Sequence, residues 1–183
     1  MNIRSNTLIQ YITVFTIIFL ICINTTSACK DIIATGDSTA GEYNLLLKVR
    51  DPSRPGLQVL TKIPINYQYS YHHPWTGKEI TFTVNHSYIG VASEQDIAPN
   101  ITKCGMVLTD AGLAYGDADS QSRWINPTRY AWDDFDWIRY SCEQASSEKE
   151  AVYYLTKKAV DELHATGVSE NLCLIGPKNG VLI

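Results

Sequence analysis

The spacing of apolar residues changes at Asp133, and that change limits the chain to few architectures. Before it, short runs rich in Val, Ile, Tyr and Thr are broken by Gly, Pro and Asn at the intervals expected of turns. Strands are predicted over 31–35, 43–49, 58–64, 80–84, 88–92, 104–108 and 113–116. After it, Phe135, Ile138, Cys142 and Ala145 fall at helical spacing, with Asp133 and Asp134 at the start. A second helix is predicted over 147–165. Ser147-Glu148-Lys149-Glu150 reads as a capping box, Val152, Leu155, Ala159 and Leu163 as its buried stripe, and Gly167 as its stop. Two last strands, 171–175 and 181–183, flank a turn containing Gly176-Pro177-Lys178-Asn179-Gly180. Strands first and a helix pair afterwards indicate an α+β fold in which the helices cover one face of a sheet.

The first 28 residues have a different composition. Arg4, their only charge, precedes an apolar stretch from Leu8 to Ile23, and Thr26 and Ala28 supply small residues at the −3 and −1 positions before Cys29. These are the parts of a secretory signal. The stretch is interrupted by Gln10, Thr13 and Thr16 and is shorter than the ~20 apolar residues of a spanning helix. The expectation is a signal peptide over 1–28, a single domain over 29–183, and an extracytoplasmic, secreted or cell-surface location. Asn85-His86-Ser87 and Asn100-Ile101-Thr102 fit the glycan acceptor pattern and agree with export.

Removing Arg4 from a chain of net charge −4 leaves fourteen basic against nineteen acidic residues. With no Lys/Arg run, this surface offers no electrostatic footprint for nucleic acid, and contact with a membrane is expected only through the leader or a lipid anchor. Cys29, Cys104, Cys142 and Cys173 suffice in number for two disulfides but match no known framework. No His/Cys cluster has zinc-ligand spacing, and His72-His73 precede Pro74 in an aromatic loop, so no metal or other cofactor is implied.

A cut after Ala28 would make Cys29 the first residue. A thiol is mostly protonated at neutral pH, whereas a free α-amine titrates at about 7.7 to 8.0 and can act as general base on the same residue. Nucleophile and base would then arrive together. A hairpin with its turn near residue 39 places residue i opposite 78 − i, which puts Cys29 across from Val49 with Arg50 and Asp51 beside it. Arg50 can hold the thiolate or a substrate carboxylate, and Asp51 can orient Arg50 or the α-ammonium. A solvated ion pair at a strand end is the competing reading of the same two residues.

The runs Ala28-Cys29-Lys30-Asp31, Lys48-Val49-Arg50-Asp51 and Asp110-Ala111-Gly112-Leu113-Ala114 resemble N-terminal nucleophile (Ntn) hydrolases with a cysteine nucleophile. The similar branches are the cysteine dipeptidases, the penicillin acyltransferases and the conjugated-bile-salt (choloylglycine) hydrolases. Ile63-Pro64-Ile65-Asn66-Tyr67-Gln68-Tyr69 and the block from Asp134 to Ile183 are also similar to dipeptidase segments. The resemblance implies an αββα sandwich and an exported amidohydrolase acting on a small amide or short peptide through a thioester on Cys29, by hydrolysis or acyl transfer. It implies catalytic roles for Cys29, Arg50 and Asp51, an oxyanion donor at Asn171, and substrate contacts from Thr109 and Asp110. A turn-capping or strand-edge role for Asn171 fits the residues equally well. Two departures fall near the implied substrate site: Lys30 stands where relatives commonly have Thr, and Thr109-Asp110 where they have Asn-Glu. Relatives also continue past the strand that ends at Ile183, so the resemblance implies a sandwich incomplete at its C-terminal end.

Two readings of another class compete. Thr26-Ser27-Ala28-Cys29 is lipobox-like, which would make Cys29 the lipidated anchor of a ligand-binding domain, but Thr26 stands where Leu is usual. Eleven tyrosines and four tryptophans would suit a secreted adhesion or binding module.

Overall fold

The structure is a computed structural model, and it describes residues 29–41, 43–49, 57–119, 128–165 and 170–183. The expected signal peptide, Arg50, Asp51 and Gly167 lie outside the described residues.

Ten strands form three antiparallel sheets among the described residues. β1 (Lys30–Ala34) and β2 (Leu45–Val49) make one hairpin, and β4 (Gln68–His72) and β5 (Glu79–Thr83) make another. The main sheet has six strands in the order β10-β9-β8-β7-β6-β3, from β3 (Gln58–Ile63), β6 (Tyr88–Ser93), β7 (Met106–Thr109), β8 (Ala114–Asp119), β9 (Glu170–Ile175) and β10 (Gly180–Leu182). Helix α1 (Asp134–Cys142) is followed by α2 (Glu148–Tyr153), which continues as a π-helical stretch over Tyr154–Glu162.

The predicted strands and helices are present, with four differences. β4 is an addition to them: Gln68-Tyr-Ser-Tyr-His alternates exposed and buried, but both faces carry aromatic or polar residues, so the apolar alternation that marks a strand is weak. The β1–β2 register is shifted by one, with Lys30 rather than Cys29 opposite Val49. The capping box at Ser147 is only half formed. Ser147 Oγ accepts from the Glu150 amide, but the Glu150 carboxylate turns back to the Ser146 N–H and hydroxyl. His164 stops the second helix, at φ 52°, with the Ala165 amide closing onto the Ala159 carbonyl. No disulfide joins any of Cys29, Cys104, Cys142 and Cys173 among the described residues.

One face of the main sheet packs on the helices. Leu113, Tyr115, Leu172 and Leu174 meet Ile138, Cys142, Leu155 and Ala159 in a continuous buried core, and the Tyr115 hydroxyl bonds Ser141 Oγ at 3.0 Å. The start of α1 is fixed by a reciprocal cap: Asp133 Oδ1 accepts from the Asp136 amide and Asp136 Oδ2 from the Asp133 amide. The β4–β5 hairpin closes the aromatic end of this core, where Tyr69 stacks on Phe82 at 5.3 Å and the Trp132 indole N–H donates to the His72 carbonyl. The β1–β2 hairpin lies on the opposite face, over β8 and β9. The described layers are therefore helix, sheet, sheet.

Candidate active site

The hairpin that starts at Cys29 has two unlike faces. Ile32, Leu45, Leu47 and Val49 point outward and are each at least half exposed, whereas Asp31, Ile33, Leu46 and Lys48 point toward the main sheet. Glycines in the sheet make room for them. A Cβ added at Gly116 would sit 3.1 Å from an Asp31 carboxylate oxygen, and one at Gly180 would sit 2.8 Å from Ile33.

These contacts show how β1 is aligned on the sheet. Asp31 lies over Gly116, whose partner is Cys173, and Ile33 lies over Gly180, whose partner is Ile175. β1 and β9 thus run in the same direction. Continued two residues back along both strands, this alignment leads from Asp31 to Cys29 and from Cys173 to Asn171, which pairs with Ala118 across β8 and β9. Asn171 is exposed and shares the hairpin-facing side of β9 with Cys173, and its amide nitrogen reaches the Ala118 carbonyl at only 3.5 Å, so the side chain is not committed to a strong local bond.

Between β1 and the sheet lies a buried charged cluster. Lys48 Nζ is 3.6 Å from Asp31 Oδ1 and 3.4 Å from Asp117 Oδ1, and the three side chains are 4 %, 1 % and 6 % exposed in the order Lys48, Asp31, Asp117. Burial pushes the Asp31 carboxyl above its ordinary range, against the pull of Lys48. The Cys173 thiol beside Asp31 is pushed up to about 11 by burial and by that carboxylate, which keeps it a protonated thiol and not a second nucleophile at neutral pH. Sequence reasoning missed this cluster. Its only local signal is the cross-strand pair Asp31–Lys48, which needs the register to be known.

Thr109 and Asp110 sit elsewhere. They lie at the turn before β8, while Cys29 and Asn171 adjoin its far end, roughly 17 Å away at about 3.4 Å per strand residue. Their polar groups serve that turn and the neighbouring one before β6. Thr109 Oγ1 accepts from the Leu113 amide, and the Asp110 carboxylate holds the Ser87 amide and hydroxyl and His86 Nδ1. The substrate contacts expected of this pair are not assembled with Cys29, because most of the length of β8 intervenes.

No protein family matches the sequence, and no relative is found among curated proteins. Solved structures do resemble the fold. A mutant of conjugated bile acid hydrolase from Clostridium perfringens superposes with a TM-score of 0.55 at 12 % identity, over 85 % of this chain and 47 % of its own. Penicillin V acylase from Agrobacterium tumefaciens gives 0.54 at 12 % identity, over 85 % of this chain and 49 % of its own. The chain therefore shares the sheet-rich α+β fold of these two proteins and spans about half of their length.

Proposed function

We propose that this chain is the nucleophile-bearing part of an exported cysteine amidohydrolase, activated when the segment 1–28 is removed and Cys29 becomes the N-terminus. The observation that supports the reading is the alignment of β1 on the sheet: Asp31 lies over the Gly116–Cys173 pair, and the same offset along the two strands leads to Cys29 and to Asn171, in a fold shared with two amide hydrolases.

In the proposed reaction the α-amine of Cys29 takes the thiol proton as sulfur attacks the carbonyl carbon of a small amide. Asn171 donates to the oxyanion of the tetrahedral intermediate, a type of contact worth about 2.7–4 kcal/mol when one donor is lost. The α-ammonium then gives its proton to the leaving nitrogen as the C–N bond breaks, leaving a thioester on Cys29. Water, deprotonated by the same amine, hydrolyses the thioester and restores the thiol. Arg50 and Asp51 are assigned to substrate carboxylate binding and to orienting the α-ammonium, on the strength of the sequence resemblance. The test is a protein produced with Cys29 as first residue: amide turnover that disappears in Cys29→Ala and falls strongly in Asn171→Ala supports the assignment, and turnover unchanged in Cys29→Ala refutes it.

A further inference from the structure

The hairpin carrying Cys29 rests on the sheet through apolar contacts and one charged cluster, and these two kinds of contact constrain it differently. Ile33 over Gly180 and the inward Leu46 supply attraction without direction, so a hairpin held by them alone can slide along the strands at little cost. The cluster is directional. Lys48 from β2 meets Asp31 from β1 and Asp117 from β8, and the Cys173 thiol from β9 closes against Asp31, so four strands are tied at one level. β7 begins at Met106, opposite Gly116, so beyond Gly116 the described strands flank β8 through β9 alone, and Lys48 reaches Asp117 at that level. A slide of one residue would carry Asp31 about 3.4 Å off Gly116 and draw Lys48 away from Asp117, leaving buried charges unpaired.

We infer that Asp31, Lys48 and Asp117 are positioning residues that fix where Cys29 stands relative to Asn171; this rests on the reading of Cys29 as the nucleophile. The cluster lies two residues along β1 from Cys29 and touches no reacting atom. Its contribution is register: buried ion pairs stabilise a fold weakly, but they reject alternatives in which a charge loses its partner. The side chains present agree with this division, since an apolar trio would fill the same space and leave the strand free to shift.

The experiment compares the protein beginning at Cys29 with the triple variant Asp31→Asn/Lys48→Met/Asp117→Asn, which removes all three charges while keeping volume. Lys48→Met alone strands two carboxylates and serves as the variant that loses stability. Position is read directly by placing Asn171→Cys in each background, treating with a short bismaleimide and mapping the linked peptides by mass. A link between Cys29 and the thiol introduced at position 171 is expected in the otherwise unaltered protein and reduced at least several-fold in the folded triple variant. With Asn171 intact, the triple variant is expected to lose about 100-fold in kcat with KM within about two-fold, the size of effect that a shift of roughly 1 Å produces. Equal cross-linking in the folded triple variant overturns the inference. A link that depends on the cluster in a protein that hydrolyses no amide upholds the positioning role and refutes the catalytic reading instead.

Discussion

The two faces of the main sheet are held by different physics. On the helix face, polar groups, most of them buried, close short, well-directed bonds: Arg139 meets Asp136 at 2.9 Å, Lys103 meets Asp136 at 3.1 Å and the partly exposed Asp133 at 2.6 Å, and Tyr69 donates to Glu143 at 2.9 Å. They sit among Trp132, Leu155 and Ile138, all essentially inaccessible. On the hairpin face the ion contacts are longer, at 3.4 and 3.6 Å, and much apolar surface stays open. Leu47 is 51 % exposed and Leu60 75 %, and a groove of about 360 Å³ runs between β2 and the part of the sheet that carries Leu60, Ile89 and Leu108. The fold is thus secured on one face and the proposed chemistry is placed on the other, where fewer contacts oppose movement.

That contrast predicts a graded mutational response. The largest effect is expected at Arg139, which also lies over the rings of Tyr69 and Tyr71 at 4.6 and 4.4 Å. Arg139→Met leaves Asp136 with Lys103 as its one remaining ion partner among the described residues and removes the positive charge that favours the ionised Glu143 in the core, and should cost about 3–5 kcal/mol in denaturant unfolding. Leu155→Ala, in the apolar part of the same face, should cost about 2–5 kcal/mol by loss of buried methyl groups and the cavity left behind.

Next comes a pH effect on the helix face. Burial pushes the Glu143 carboxyl up to about 8 from an ordinary 4.5, with Arg139 and the Tyr69 hydroxyl opposing the shift. A pKa raised in the folded state gives stability that is fully present below about 4.5 and is lost as pH rises toward about 8. Glu143→Gln should therefore gain in melting temperature relative to the parent across that interval, and a parent–variant difference constant with pH would contradict it. The smallest effect belongs to the hairpin's outer face, where Leu47→Ala should change stability by no more than about 0.5 kcal/mol. A loss there as large as at Leu155 would mean that the two faces are not distinguished as described.

What is legible in the sequence follows the same division. The helices are readable because Ile138, Cys142, Leu155 and Ala159 repeat at the helical period and because Asp133 and Ser147 cap their starts, all of which is local information. The hairpin is readable from its alternation, but its register is not: the Gly36–Ser38 turn and the residues after it set the pairing, and one extra residue there shifts every partner. β4 is hidden because Tyr69 and Tyr71 alternate with polar residues that resemble a loop. The Asp31–Lys48–Asp117 cluster joins three strands separated by up to 86 positions, from residue 31 to 117, and no local pattern announces such a meeting. Thr109 and Asp110 have their polar groups engaged near the β7–β8 turn: Thr109 accepts from the Leu113 amide within it, and Asp110 reaches across to Ser87 and His86 in the neighbouring turn before β6, a partnership the sequence does not announce. The alignment of β9 with β1, on which the pairing of Asn171 with Cys29 is proposed, is a relation that exists only in three dimensions.

The central claim is that the thiol and the α-amine of the same residue carry the reaction. It is tested most directly by comparing amide turnover by two proteins that differ by one residue: one beginning at Cys29, the other with a single alanine before it. The extension converts the basic amine to an amide while leaving the thiol and the hairpin in place. The account predicts that the extended protein loses turnover as completely as Cys29→Ala does. Turnover by the extended protein at the rate of the shorter one would contradict it, because the base would then lie elsewhere.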